Sequence, residues 1–244
     1  MTLSLAKFPS TPHLTVLDGA TVRDDKVLTP VERDRFLDHN VIVEEKIDGA
    51  NLGISFDSKG EIQAQNRGSL LTEPMTGQWK TLPDWLSIHC DRFFDVLLDR
   101  YILFGEWCYA KHSIFYDQLP DWFVGFDVFD SQTNRFVCRD VRDRLLESLQ
   151  LHVVPCLASG RLTLGEIAAS LGQSHFGNAP AEGLYLRYDD GDWLGNRAKL
   201  VRPSFIQAID EHWSSRSLEV NRLAVQKETY CGEKGKGPGA FLGE

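Results

Sequence analysis

Short runs of β-branched and apolar residues, separated by turn residues, dominate the middle of the chain and constrain its fold most strongly. Each run has the length of a β-strand. A glycine-containing turn separates the first two runs, which predicts a β-hairpin. The predicted strands are Val41–Glu45, Leu52–Phe56, Ile62–Gln65, Tyr101–Phe104, Phe123–Phe129, Gly183–Arg187 and Ala198–Val201.

Helical patterns are fewer and lie between the groups of strands. Apolar residues at three- and four-residue spacing predict helices over His89–Leu98 and Asp140–Leu149, and Thr29-Pro30 precedes a predicted helix over Val31–Phe36. Strands paired through short turns, with helices between groups of strands, indicate an α+β fold with largely antiparallel sheets.

The C-terminal region predicts a short appendix and a tail. A helix beginning after Pro203 has one apolar face, formed by Phe205, Ile206, Ile209 and Trp213. Only about 40 residues follow Val201, too few for a five-stranded barrel in addition to this helix. Glycine, proline and charged residues then indicate a flexible tail. We therefore expect a catalytic domain over residues 1–203, a helical appendix over 204–227 and a tail over 228–244.

Composition limits the cellular setting. Hydrophobic residues make up 42% of the chain and charged residues 25%, as in a globular protein. We expect neither a membrane span nor a signal peptide, because no apolar run is long enough for either. The five cysteines form no Cys-x-x-Cys pair, which favours a reducing cytoplasm. The net charge of −9 taken alone favours a metabolic enzyme over a protein that clamps DNA non-specifically.

Lys46-Ile47-Asp48-Gly49 is the first motif that indicates chemistry. The simplest interpretation is a strand that ends in a tight turn. A lysine at that place is also held rigidly where a ligand can approach. Burial and nearby positive charge lower the pKa of a lysine, and only the neutral amine can attack phosphorus.

This motif resembles the nucleotidyl-lysine motif of the covalent nucleotidyltransferases, the superfamily of ATP- and NAD-dependent ligases and mRNA capping enzymes. Similar motifs follow in the family's order, and the form of the first and third resembles the RNA ligase 2 group most closely. The opening Lys7–Leu14 is also similar to the start of bacterial ligases of that type. The further motifs are Asn66-Arg67-Gly68, Phe104-Gly105-Glu106-Trp107, Phe126-Asp127-Val128-Phe129, Glu182-Gly183-Leu184-Tyr185 and Ala198-Lys199-Leu200-Val201.

The resemblance implies a fold and a nucleotide-binding site. The fold is a ligase adenylation domain without an OB-fold domain. Glu45 is expected to contact the adenine edge, and Phe126 to stack on adenine with Leu184 or Tyr185 on its other face. The ribose–phosphate region would be held by Asn51 and Arg67, and the ribose hydroxyls by Glu106.

The resemblance also implies catalytic and metal-binding roles. Lys46 is the expected nucleophile, and Lys199 would neutralise charge on the α-phosphate and lower the pKa of Lys46. Glu182 and Glu106 are the expected metal-site residues for Mg²⁺ or Mn²⁺. The last motif usually has a second lysine, where this chain has Val201; Arg197 or Arg202 are the alternatives for its role.

The predicted function is ATP-dependent ligation of RNA ends that carry a 5′-phosphate and a 3′-hydroxyl, through a lysyl-AMP intermediate. An end-healing kinase or phosphatase is a possible partner. Three alternatives stay open at this point: a DNA ligase, an mRNA guanylyltransferase, and an RNA-end binding module without turnover, which the Val201 departure favours.

Overall fold

Two antiparallel sheets form the core of the protein in the computed structural model, which describes residues 6–17, 26–208 and 218–225. The smaller sheet contains β1 (Val41–Lys46), β9 (Cys156–Gly160), β10 (Gly183–Asp190) and β11 (Trp193–Val201). Its strand order is β11-β10-β1-β9.

The larger sheet lies beside it and contains seven strands. They are β2 (Ala50–Phe56), β3 (Ile62–Asn66), β4 (Ser69–Leu70), β5 (Tyr101–Trp107), β6 (Phe123–Asp130), β7 (Arg135–Phe136) and β8 (His152–Val153). The order is β4-β3-β2-β5-β6-β7, and β8 pairs with β6 in parallel. The predicted α+β fold with largely antiparallel sheets is confirmed.

The predicted hairpin between the first two strands is wrong. β1 pairs with β10 and β9, whereas β2 pairs with β3 and β5. The turn of Ile47–Gly49 carries the chain from one sheet to the other. A Cβ atom on Gly49 would lie 2.7 Å from the carbonyl oxygen of Trp107, so the crossing needs glycine. This crossing places Lys46, the last residue of β1, between the two sheets.

Five α-helices within the described residues cover the sheets. They are α1 (Pro30–Leu37), α2 (Leu82–Leu97), α3 (Arg139–Ser148), α4 (Leu164–Ala169) and α5 (Pro203–Ala208). Thr29 with Glu32, and Thr163 with Glu166, form capping boxes at the starts of α1 and α4. In the described part of the chain, no helix combines the length and the apolar character that crossing a membrane requires.

The predicted C-terminal organisation is only partly within the described residues. The helix after Pro203 begins as expected, but Ile209, Trp213 and the tail at 228–244 lie outside them. The division at residues 203 and 227 stays a prediction. Residues 218–225 pack against the loop that follows β5, where Asn221 is buried.

Three apolar clusters and two buried ion-pair groups hold the layers together. One cluster joins the larger sheet to α2 and α3, a second joins the smaller sheet to α1 and α4, and a third lies around Ile47 between the sheets. Glu44 of β1 pairs with Arg142 of α3 at 2.6 Å. Asp127 of β6 pairs with Arg187 and Arg197 of the smaller sheet at 2.9 and 3.0 Å.

Candidate active site

A cavity of about 500 Å³ lies where the two sheets meet. Its size is that of a small-molecule site. Most of the site residues predicted from the sequence line it: Glu45, Lys46, Asn51, Arg67, Glu106, Phe126, Tyr185 and Lys199. Glu182 is not part of the lining but contacts Lys46 directly. Five lining residues are cationic, namely Lys7, Lys26, Lys46, Arg67 and Lys199. The acidic protein therefore has a cavity rich in positive charge, which suits a phosphorylated ligand.

Lys46 is half-buried at the end of β1, and its Nζ donates to Oε2 of Glu182 at 2.6 Å. Burial alone would lower the pKa of Lys46, but the carboxylates of Glu182 and Glu106 outweigh it and raise the pKa above the ordinary value. The predicted lowering of this pKa is therefore wrong. Opposite charges close to the amine, rather than neighbouring cations, set its protonation, and the resting side chain is an ion-paired ammonium.

Two carboxylates flank the amine. Glu182 directly precedes β10, and Glu106 lies on β5. Burial raises the pKa of Glu106 to about 8, with Glu182 adding to the effect and Lys46 opposing it. Among the described residues, no three or more His, Cys, Asp or Glu side chains are grouped as a metal site. Two carboxylates with retained waters fit Mg²⁺, which dehydrates reluctantly. The metal role of Glu106 and Glu182 stays a prediction.

Asn51 and Lys199 provide polar groups inside the cavity. Asn51 is directly opposite Glu106 in the β2–β5 pairing, and its Oδ1 is buried without a hydrogen-bond partner. A buried amide oxygen without a partner is costly, so a ligand donor is expected there. Burial, together with the charge of Lys46, lowers the pKa of Lys199 to about 8.

Arg67 lies at the rim, in the turn between β3 and β4, with a positive φ of 51°. The next residue, Gly68, has φ 99°, so the turn depends on left-handed backbone. The side chain of Arg67 is exposed and lines the cavity. A planar guanidinium at this position suits a phosphate group.

Phe126 and Tyr185 form the apolar wall. Their ring centroids are 6.2 Å apart at an interplanar angle of 40°. For a planar base to stack between the two rings, the rings must be about 7 Å apart, because each stacking contact is about 3.5 Å. The rings of Phe126 and Tyr185 would therefore have to move slightly apart. The Tyr185 hydroxyl donates to Asp127 Oδ2 at 2.7 Å. Leu184, the alternative to Tyr185, is fully buried in the cluster of the smaller sheet and does not line the cavity.

Glu45 has a carboxylate that already has partners. The side chain accepts from Ser174 Oγ at 2.5 Å and from the backbone N–H of His175 at 2.9 Å. Only 1% of Glu45 is exposed. The predicted contact with the adenine edge stays a prediction, and the carboxylate would have to exchange these partners to make it.

Sequence reasoning did not predict that residues 7–11, Lys26, Ile47 and Val154 line the cavity. Residues 7–11 cross the cavity, where Phe8 contacts the rings of Phe104, Phe126 and Phe136 at 5.1, 5.2 and 5.6 Å. The similarity of Lys7–Leu14 to ligase N-termini was a usable signal for this segment. Lys26 also lines the cavity. No motif includes it, so only the fold identifies it.

The fold is that of known RNA ligase structures. It matches Naegleria gruberi RNA ligase in several solved structures. A variant with ATP and manganese has a TM-score of 0.58 at 20% identity, covering 84% of this chain and 62% of that one. A second variant with ATP and manganese has a TM-score of 0.60 at 19% identity, covering 86% and 60%. A third, with AMP and manganese, has a TM-score of 0.56 at 19% identity, covering 84% and 62%.

The particular family follows from the sequence. A family model described as RNA ligase matches residues 39–201, which is more than half of the chain. The chain therefore belongs to the RNA ligase family. No curated protein sequence matches it. The chain matches about 60% of the length of the solved RNA ligases.

Proposed function

We propose that the protein is an ATP-dependent RNA ligase in which Lys46 becomes adenylylated. Membership of the RNA ligase family supports this function. The observation that carries the mechanism is the position of Lys46, whose amine lies at the edge of a cationic cavity and contacts Glu182 at 2.6 Å. A lysine held there can act as a nucleophile towards a bound phosphate.

In the first step the ammonium of Lys46 gives one proton to solvent, and the neutral amine attacks the α-phosphorus of ATP and loses a second proton to solvent. A P–N bond forms, the bond from the α-phosphorus to the bridging oxygen breaks, and pyrophosphate leaves. Lys199 and Arg67 would stabilise the negative charge, and Asn51 and Glu106 would hold the sugar. When bound, Mg²⁺ or Mn²⁺ supplies charge neutralisation at the phosphates.

The adenylate is then transferred and displaced. An oxygen of an RNA 5′-phosphate attacks the lysyl-AMP phosphorus, which releases the neutral amine and gives a 5′–5′ pyrophosphate-linked end. A 3′-hydroxyl next attacks the 5′-phosphorus, forms the phosphodiester bond and releases AMP. Both displacements depend on positioning and charge stabilisation more than on acid–base groups.

Labelled ATP tests the first step. ATP with ³²P at the α-phosphate should label the protein in the presence of Mg²⁺, and ATP with ³²P at the γ-phosphate should not. Lys46→Ala should abolish labelling. Lys59→Ala is the matched control, because Lys59 is exposed in the β2–β3 turn outside the cavity. Undiminished labelling of Lys46→Ala would rule out the assignment.

RNA and DNA ends distinguish the polymer. Nicked duplexes with RNA-containing or all-DNA 3′-hydroxyl ends should be sealed unequally, with RNA preferred. The opposite preference would support a DNA ligase. An end-healing kinase or phosphatase as partner and a cytoplasmic location stay predictions.

A second candidate is an RNA-end binding module without turnover, which the valine at position 201 favours. Such a module would retain RNA with a 5′-phosphate but would neither take up the α-phosphate label nor release AMP. The labelling experiment therefore separates the two candidates.

A further inference from the structure

The last motif has no cation at its second position. Val201 is only 4% exposed and pairs with Gly183 across β10 and β11. The neighbouring arginines do not replace a lysine there. Arg197 donates to Asp127 Oδ2 at 3.0 Å, and Arg202 donates to the carbonyl oxygens of Leu171, Gly172 and Ala181 at 2.7–2.9 Å. Neither lines the cavity. Of the four residues of this motif, only Lys199 lines the cavity.

A different part of the chain places Lys26 at the cavity. The segment around His13 extends the smaller sheet beyond β11: the backbone N–H of Lys199 donates to Pro12 at 2.9 Å, and that of Leu14 donates to Lys199 at 2.8 Å. The backbone N–H of His13 in turn donates to the carbonyl oxygen of Lys26 at 2.7 Å. Position 26 is therefore fixed two strand spacings, about 10 Å, from Lys199.

Lys26 is a cation that lacks an acidic partner among the described residues. Its side chain is exposed and lines the cavity, and it takes part in no ion pair within residues 6–17, 26–208 and 218–225. Lys26 and Lys199 act on the same region of the molecule. Burial lowers the pKa of His13 to about 4, and the charges of both lysines add to this effect.

His13 separates the two lysines as a neutral, buried ring. It is 6% exposed, and its Nδ1 is buried without a hydrogen-bond partner. Two ammonium groups on either side of an uncharged ring repel each other, and an anion that spans them would relieve this repulsion. An extended polyphosphate is such an anion, whereas a single phosphate beside Lys199 would not reach position 26.

We propose that Lys26 binds the β- and γ-phosphates of ATP and takes the place of the missing second lysine, while Lys199 binds the α-phosphate. This inference rests on the proposed function. It makes Lys26 specific to the step in which a triphosphate is present. Lys26 has no role in sealing an RNA end that already carries AMP.

Binding tests the proposal without turnover. In a Lys46→Ala background, calorimetry should show that Lys26→Ala weakens ATP binding by roughly 10- to 100-fold, the loss expected for one charge-assisted hydrogen bond. AMP binding should be unchanged. Lys26→Arg should retain most of the ATP affinity, and Lys59→Ala all of it. Equal losses for ATP and AMP, or no loss for ATP, would overturn the assignment.

Activity gives a second measurement with Lys46 intact. At low ATP concentration, the Lys26→Ala protein should take up the label more slowly than the wild type. It should still seal pre-adenylylated RNA at the wild-type rate, which also shows that the variant is folded. Slowing of both steps would place Lys26 elsewhere in the mechanism. If wild-type protein neither takes up label nor seals RNA, the ligase function is wrong, while the ATP and AMP affinities still decide whether Lys26 binds the phosphates.

Discussion

At the scale of single residues, the protonation of Lys46 is controlled by its acidic neighbours. The sequence motif predicts the position of the proposed nucleophile, but it does not predict the 2.6 Å contact with Glu182, which lies 136 positions further along the chain. That contact favours the ammonium form, whereas the reaction needs the neutral amine. In the proposed mechanism, a divalent cation held by these carboxylates would oppose the ammonium form of Lys46 and would so favour the neutral amine.

Glu182→Gln should lower the pKa of Lys46, because it removes the strongest of the interactions that raise it. Modification of Lys46 should therefore begin at lower pH than in the wild type, because a close carboxylate stabilises the ammonium form. The measurement is the pH dependence of Lys46 modification by an amine-reactive reagent without ATP, followed by mass spectrometry. Glu106→Gln should give a smaller decrease. An unchanged or higher pKa in Glu182→Gln would contradict the proposed control.

The rate of adenylylation should show two regimes of pH. Below about pH 8 the rate should rise about tenfold per unit, because the pKa of Lys46 is raised and the neutral fraction grows by that factor. Above this, the rise should flatten, because Lys199 loses its charge near its pKa of about 8. Single-turnover labelling from pH 6 to 9.5 measures this. In Lys199→Arg the side chain stays charged, so the rate of adenylylation should continue to rise above pH 8. A plateau of the rate in both proteins would show that Lys199 does not cause the plateau.

At the scale of elements, residues 218–225 support the turn that follows Lys46 indirectly, through the loop that follows β5. Asn221 accepts from the backbone N–H of Tyr116 at 2.9 Å and donates to the carbonyl oxygen of Cys108 at 2.8 Å. The loop held in this way supplies two backbone N–H groups, from Ser113 and Ile114, to Asp48 Oδ2 at 2.7 and 3.0 Å. Asp48 lies two residues after Lys46, so this segment helps to fix the turn.

Asn221→Ala should lower the free energy of unfolding by about 1–3 kcal/mol, because it leaves buried backbone groups without partners. Urea unfolding measures the loss, and hydrogen exchange at the amides of Ser113 and Ile114 should become faster. Glu219→Gln is the control, since its ion pair with Lys111 is exposed and is worth about 0–1 kcal/mol. Equal effects of the two substitutions would show that the segment does not support the loop.

Local sequence patterns predict elements better than they predict partners. The strand β2 was found because alternation and β-branching are local properties, but its pairing with β5 instead of β1 depends on where the chain crosses between sheets. The two-residue strands β4, β7 and β8 are defined only by their pairing with β3 or β6, which a local pattern does not contain. The helix α4 was missed although Thr163 and Glu166 form the same type of capping box that Thr29 and Glu32 form at α1.

At the scale of the whole molecule, the site depends on how the two sheets are joined. The motifs predict most of the residues that line the cavity, and in the structure each motif lies on a strand or directly beside one. The lining by Lys26 could not be predicted, since it depends on non-local pairing through the segment around His13 to β11. For residues 7–11, the similarity of Lys7–Leu14 to ligase N-termini was a signal in the sequence. The buried charges behind the cavity were missed for the same reason: Glu44, Asp127, Arg142 and Arg187 are fully buried, and each becomes tolerable only once its partner is in place.

The pair of Glu44 and Arg142 gives the last prediction, on how the smaller sheet is joined to α3. Both side chains are fully buried and the guanidinium contacts both carboxylate oxygens, at 2.6 and 3.0 Å. Glu44→Leu or Arg142→Met alone should lower the free energy of unfolding by about 3–5 kcal/mol, because the remaining buried charge loses its closest partner. Among the described residues, Arg142 would keep only Asp143 as an ion-pair partner, at 2.7 Å, and Glu44 only Arg139, at 3.7 Å. The double substitution removes both charges, so its loss of unfolding free energy should be clearly less than the sum of the two single losses. Urea unfolding of the four proteins measures the coupling. Additive losses would mean that the pair does not act as a unit and that the apolar clusters alone hold the layers together.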